Sequence, residues 1–284
     1  MLGEPTIDPT PPSWLEIELP PAWPDSLRMS RPADAWRFTR KVVLRRLDPV
    51  TLPPGLPLNV DLPKYLLQEF HNLPNGNYSR IVTDGYSTSF DALMLGSLRA
   101  ARAELAQALR GSRSALDLGC GAGHSTQALH DAGIPEVWGL DASPYLLQHA
   151  ARRHPDLRLV QGLAESTGFP SRRFEAVCAC FLFHELPPDA GDAALREIRR
   201  LLVPSGRLAI LEPGIEQWKL SPLSLLRRYG WRGAYFWALA RIASEPFLGS
   251  WHRRDVPTWL AEHGFELIAQ HGRFPTQLYV ARLR

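Results

Sequence analysis

The chain has 284 residues, 45% of them hydrophobic and 21% charged, and 32 basic against 29 acidic side chains leave a formal charge of +3. This is enough for one large α/β domain with an added cap, or for two small domains. So small a net charge permits an anionic ligand without demanding one. No run of about 18 uncharged apolar residues occurs, and the first 14 residues lack the positive region and apolar core of a secretory signal. Three cysteines (Cys120, Cys178 and Cys180) are a sparse, odd set that suggests reduced thiols. A cytoplasmic globular protein is therefore expected.

Thirteen of the 26 prolines lie in the first 63 residues, where long helices cannot thread because each ring fixes φ and removes a donor. Within this segment Leu15-Glu16-Ile17-Glu18-Leu19 alternates like one short strand, and residues 33–48 suit a single basic helix or strand. Trp14, Trp23 and Trp36 argue for packing, since disordered segments are poor in aromatics. Residues 1–65 are read as an accessory extension and 66–284 as the main domain, with a core at 111–212, an insertion at 213–254 and a C-terminal helix and strands at 255–284. The spacing of Phe90, Leu93, Met94, Leu98 and Leu105 predicts one helix over 88–110. Strand-like pieces at 115–118, 137–140, 157–160, 176–180 and 207–211 then alternate with helix-like pieces at 123–132, 144–153 and 189–202. A helix at 256–263 leads to strands at 265–270 and 276–282. Short apolar runs alternating with amphipathic helices indicate a doubly wound α/β fold, Rossmann-like, with a mostly parallel seven-stranded sheet covered on both faces.

Between the first strand and its helix lies Asp117-Leu118-Gly119-Cys120-Gly121-Ala122-Gly123-His124. Glycines let the backbone turn sharply and approach a ligand, and the free N–H groups of the helix start favour an anion or carboxylate. A dinucleotide fingerprint would place glycine at 124, where this chain has His124, and a Walker loop would need Gly-Lys-Ser/Thr. Asp117 beside the glycines would repel a pyrophosphate but suits an ammonium group. A ligand carrying both ammonium and carboxylate is an amino acid, such as the methionine end of S-adenosylmethionine. Asp141, at the tip of the second strand, suits both ribose hydroxyls of a nucleoside, or else caps the following helix.

Taken in order, these segments resemble the class I S-adenosylmethionine-dependent methyltransferases of the small-molecule type. Asp117 to Gly123 matches the glycine loop and Gly139 to Ser143 the acidic strand tip. Gln161 to Glu165 with Gly168-Phe169-Pro170 is similar to the adenine-side segment, Phe174 to Leu186 to the fourth-strand motif, and Leu202 to Leu208 to the turn into the fifth strand. The resemblance implies S-adenosylmethionine as cofactor, held by Asp117, Gly119, Cys120, Gly121, Gly123, Asp141, Ala142, Ala164, Glu165 and Cys180. It also makes Tyr78 and Tyr86 candidates for a lid. One position departs: the family's aspartate after the adenine-side glycine is Leu163 here. Either Glu165 or a backbone carbonyl then meets the adenine amino group, or affinity is lowered.

Methyl transfer from a sulfonium needs in-line positioning, and needs a base only when the acceptor must lose a proton. His184, after the fourth strand, is the candidate base or a pocket-lining residue. Glu212, at the tip of the fifth strand, is a candidate to orient the acceptor or bind its cation, and Tyr86 completes the catalytic set. Cys178, Cys180 and His184 lack a fourth ligand, so no metal is expected. Residues 218–254 hold eight aromatic side chains, seven Lys/Arg and one acid, Glu245. They are read as a cap over an aromatic or anionic small-molecule acceptor, with Arg227, Arg228 or Arg232 meeting an anionic group. An ordinary aromatic core and a membrane-resting face are the alternatives, and no nucleic-acid partner is expected. The expected function is methyl transfer to a small molecule; a cofactor-binding scaffold without turnover and a nicotinamide-dependent oxidoreductase are the rivals.

Overall fold

The computed structural model describes residues 5–28, 30–36, 39, 48–71, 73–243 and 245–284. Seven strands, β1 (Ser114–Leu118), β2 (Glu136–Asp141), β3 (Arg158–Gln161), β4 (Phe174–Cys180), β5 (Leu202–Pro213), β6 (Phe265–His271) and β7 (Thr276–Leu283), form one sheet in the order β3-β2-β1-β4-β5-β7-β6. β1 to β5 run parallel, and β7 lies antiparallel between β5 and β6. Order reverses between β1 and β4, which opens a crevice beyond their carboxyl ends, the usual ligand position in such sheets.

The helices are α1 (Arg80–Leu93), α2 (Ser97–Leu109), α3 (His124–Asp131), α4 (Pro144–Arg153), α5 (Pro188–Leu201), α6 (Glu216–Lys219), α7 (Pro222–Tyr229), α8 (Trp231–Ile242), α9 (Leu248–Arg253) and α10 (Val256–Glu262). Alternation along the strands sorts the core into two layers. Leu116, Leu118, Val177, Leu208 and Ile210 pack with Leu195 and Ile198 of α5 and Leu260 of α10. Ala115, Cys178, Ala209 and Leu211 pack on the opposite face with Leu105 and Leu109 of α2 and Leu129 of α3. Proline opens α4 and α5, where its missing N–H costs no helix bond.

The helix predicted over 88–110 is two helices. Leu95 and Gly96 take left-handed backbone (φ 51° and 70°), ending α1 and starting α2, and the bidentate pair from Arg102 to Asp91 spans the break at 2.8 and 3.0 Å. Apolar spacing runs through both helices and hides the break. α1 also begins earlier than expected, at a Ser79 cap whose hydroxyl accepts from the Val82 N–H. Asp25 reinforces this cap, accepting from the Ser79 hydroxyl at 2.7 Å and the Ile81 N–H at 2.9 Å.

Residues 14–19 are not a strand: no neighbouring strand offers them a ladder, and they run as turn and extended chain. Side chains anchor them instead. The Trp14 indole N–H donates to the Leu159 carbonyl at 2.8 Å, and Gln148 donates to the Trp14 and Ile17 carbonyls at 3.1 and 2.7 Å. Trp14 is buried, Trp23 half-buried and Trp36 exposed. Of the element expected over 33–48, residues 32–36 are helical, while 37, 38 and 40–47 lie outside the described residues. Among the described residues no helix is long and apolar enough to cross a membrane.

Candidate active site

β1 runs straight into the glycine loop. Gly119 has φ +70°, and the N–H groups of Gly119 and Cys120 both donate to the Leu140 carbonyl of β2, at 2.8 and 2.9 Å. A Cβ on Gly119 would lie 2.7 Å from Leu182 Cδ1, so glycine is what lets the loop pass the segment after β4. Asp117 does not face the cavity, contrary to its expected contact with an ammonium group. Leu116 and Leu118 occupy one face of the sheet, so alternation turns Asp117 toward α3. There its carboxylate accepts from the Ser125 and Thr126 hydroxyls, both at 2.7 Å, and from the Cys178 thiol at 3.2 Å. Burial pushes its pKa up even against these hydrogen bonds. Asp117 fastens the first turn of α3 beneath the loop.

Asp141, at the tip of β2, accepts from the N–H groups of Gly121 and Ser143, both at 2.9 Å, and burial pushes its pKa up to about 6. The helix cap itself is Ser143, whose hydroxyl accepts from Leu146 N–H. Asp141 therefore ties loop to strand and presents its carboxylate in the wall of a cavity over the β1/β4 crevice. Gly119, Cys120, Gly121, Ala142, Ala164, Cys180, Tyr86 and His184 share that wall. Gly123 and Glu165 do not: Gly123 packs toward Ala150 and Leu157, and Glu165 accepts from the Tyr65 hydroxyl at 2.8 Å.

His184 follows β4 in a short 3-10 turn, Phe183–Glu185, and is 1% exposed. Glu212 is likewise buried and outside the cavity wall, the arrangement of a structural role, the alternative to orienting an acceptor. It accepts from His184 Nδ1 at 2.5 Å and from the N–H groups of Leu182 and Phe183 at 3.0 and 2.7 Å. This fixes the ring; His184 belongs to the cavity wall, and its Nε2 is buried without a hydrogen-bond partner, 3.8 Å from Glu245 Oε1. Burial alone would lower the imidazole pKa; the Glu212 and Glu245 carboxylates outweigh it and raise it to about 9. At neutral pH His184 is thus an imidazolium that offers a proton, where a free base was expected.

The family model that matches the chain is the methyltransferase domain, over residues 115–206. This span contains the glycine loop, Asp141 and His184. The matched segment, 92 of the 284 residues, is a methyltransferase domain. The methyltransferase domain is similar to an uncharacterized methyltransferase of Synechocystis sp., 35% identical over 37% of this chain and 49% of that protein. It is similar to a trans-aconitate 2-methyltransferase of Methylobacterium radiotolerans, 42% identical over 37% of this chain and 40% of that one. A demethylmenaquinone methyltransferase of Paenarthrobacter aurescens is 31% identical over 49% and 55% of the two chains. The chain thus spans about half the length of the curated relatives it matches. Two solved structures share the fold alone at a TM-score of 0.50. One is a chain from a complex that includes the Haloferax volcanii Trm112 methyltransferase activator, 17% identical over 70% of this chain and 96% of that one. The other is the cyclase SpnF, 15% identical over 73% and 95%.

Four further side chains of the site lie outside the methyltransferase domain's motifs. Arg102, buried on α2 and paired with Asp91 at 2.8 Å, reaches the same cavity wall as His124 and Ser125 at the start of α3. Asn77 carries a buried Oδ1 with no partner in the same wall, where Leu163 supplies no acid. His71 donates or accepts at Glu185 Oε1 (2.8 Å) and stacks on Tyr86 at 5.5 Å, so Tyr86 forms part of a fixed wall. Glu245 lies 3.5 Å from His71 Nδ1 and 3.8 Å from His184 Nε2. Tyr78, the other lid candidate, is buried against Leu19 and Tyr145. The residues present suit the cofactor at its ribose and amino-acid ends: a strand-tip carboxylate, a glycine turn that keeps side chains out of the cavity, and a buried guanidinium paired with Asp91. At the adenine end Leu163 and Ala164 give an apolar surface. The 213–254 insertion does not line this cavity. It backs it instead, Phe236 packing with Phe90 and Phe181 of the wall.

Proposed function

We propose that the protein transfers a methyl group from S-adenosylmethionine to an ionised oxygen, a carboxylate or enolate, of a small unsaturated or aromatic acceptor. The observation that carries this reading is His184: a buried residue of the wall that also contains the glycine loop and Asp141, its Nδ1 held by Glu212, its Nε2 without a hydrogen-bond partner, and its pKa raised to about 9. An Nε2–H of this kind pairs with an anionic oxygen and aims one of its lone pairs. Orientation of that sort is worth roughly 7–11 kcal/mol of barrier. The new O–CH3 bond forms as the S–CH3 bond breaks, and the oxygen's negative charge cancels the sulfonium's positive one. An ionised acceptor has no proton to lose, so a base is not required. Tyr86, Phe90 and Phe181 supply an apolar, aromatic enclosure that keeps water from the acceptor. The similarity to a trans-aconitate 2-methyltransferase supports an acidic acceptor.

For the cofactor, Asp141 is assigned to the ribose hydroxyls, Arg102 with the first turn of α3 to the carboxylate, and Leu163, Ala164 and Asn77 to the adenine side. The test is calorimetric titration with S-adenosylmethionine, followed by a methyl-transfer assay against small carboxylic acids and enols. Turnover is expected to fall at least a hundredfold in His184→Gln with cofactor affinity retained. Failure to bind the cofactor, or undiminished turnover in the variant, overturns the assignment.

A further inference from the structure

The 213–254 insertion holds a surface that the proposed chemistry does not use. α7 and α8 form a hairpin whose crossing is fixed at one point: a Cβ on Gly233 would lie 2.1 Å from the Leu225 carbonyl oxygen. Leu225 and Phe236 point inward and are buried. Outward, Leu223 is 54% exposed, Leu226 44% and Trp231 63%, the longest such group in one stretch of the described chain. Leu93, 43% exposed, adjoins them, because its carbonyl accepts from the Tyr235 hydroxyl on α8.

The charge of this hairpin is as distinctive as its exposure. Residues 219–243 carry Lys219, Arg227, Arg228, Arg232 and Arg241 and no acid, while the whole chain is only +3, so the remainder is net negative. Arg227 and Arg228 are exposed on α7 beside Leu223 and Leu226, and Lys219 is exposed at the end of α6, just before the hairpin. Arg227 and Arg228 therefore do not reach the cavity as the sequence suggested.

We propose that the α7–α8 hairpin rests on an anionic lipid surface. Exposed Trp and Leu with interleaved Lys and Arg is the pattern of a helix lying in the headgroup region; Glu216 of α6 pairs with Arg228 at 3.1 Å, so the charge offered to lipid rests on Lys219 and Arg227. Two copies of this chain meeting through the hairpin would bring like charges together, and a nucleic-acid backbone would leave Leu223, Leu226 and Trp231 without partners. A bilayer with acidic headgroups satisfies both parts of the surface. Phe236, on the inner side of the hairpin, belongs with Met94 and Leu98 to the cluster against which the cavity-wall residues Phe90 and Phe181 pack.

The test is co-sedimentation of the full chain with vesicles of phosphatidylcholine alone, and with vesicles in which a third of the lipid is phosphatidylserine. Binding is expected to the second only, and to weaken with salt. Lys219→Gln and Arg227→Gln are each expected to weaken partitioning about fivefold. The exposed-site pair Leu226→Ser with Trp231→Ser is expected to weaken it at least tenfold, with the thermal unfolding midpoint unchanged. No binding, equal binding to both vesicles, or binding indifferent to these substitutions overturns the proposal. So does a dimer in sedimentation velocity that the serine variant dissociates, which would give the face to a second copy. None of these readouts depends on methyl transfer.

Discussion

Replacing Glu212 by glutamine separates the effect of its charge from that of its shape. The glutamine oxygen can keep the two backbone N–H groups of Leu182 and Phe183, so the change removes the negative charge facing His184 Nδ1. Burial lowers the imidazole pKa, and without the Glu212 carboxylate the group falls from about 9 toward its ordinary value, with Glu245 and Glu185 still holding it up. The rise from 6.5 to about 9 in the wild type corresponds to about 3 kcal/mol favouring the protonated form. The folded-state pKa lies above the unfolded one, so this stabilisation is complete below pH 6.5 and is lost as pH rises to about 9. Urea unfolding of both proteins across that window reads the effect directly. The wild-type curve should lose more stability than the Glu212→Gln curve between the two pH limits, with about 3 kcal/mol as the upper bound, because other titrating groups are common to both. In the methyl-transfer assay the variant should lose its preference for ionised acceptors. Parallel stability curves would refute the reasoning, since they would mean that Glu212 does not hold the proton on His184.

Other substitutions address the rest of the site and its support. Asp141→Asn keeps the side-chain volume and removes a charged acceptor worth about 1.5–3 kcal/mol in a hydrogen bond, so calorimetry should show cofactor affinity down tenfold or more; unchanged affinity would take the ribose from Asp141. Arg102→Gln should weaken S-adenosylmethionine while leaving its decarboxylated analogue unaffected, and an equal loss for both would show that Arg102 only supports α2. Trp14→Phe leaves the buried Leu159 carbonyl without its 2.8 Å donor and should cost about 1–3 kcal/mol in urea unfolding; no cost would mean that the N-terminal segment does not pack there in solution.

What could be read from the sequence was local. The glycine loop, the strand before it, the helix after it and the Asp141 tip lie close together in the chain, and their periods change from two to 3.6 at glycines and proline. The direction of Asp117 was also written there, in the alternation Leu116-Asp117-Leu118, but proximity to the glycines outweighed it. A carboxylate flanked by two core leucines must face the other layer of the sheet, and in this fold that layer is α3. The α1–α2 break was masked because apolar spacing continues through Leu95 and Gly96 while the backbone does not. The acceptor end of the cavity had no local signal at all. His71 and Glu185, 114 residues apart, meet there because the segment before α1 folds back over the β4 tip.

Glu245 reaches the same place from the insertion, although the insertion supplies no cavity wall. Its charge nevertheless enters the site. Facing Nε2 while Glu212 faces Nδ1, it places a carboxylate on either side of the His184 ring, and both favour the imidazolium. The 3.8 Å separation at Nε2 exceeds a hydrogen bond, whereas the 2.5 Å contact at Nδ1 is a short one. The Glu212 side is therefore closed by a hydrogen bond, while Nε2 faces Glu245 across a gap too long for one. On the proposed reading, an acceptor oxygen takes the place beside Nε2 that Glu245 now faces, so the His184–Glu245 separation in an acceptor complex tests that reading directly.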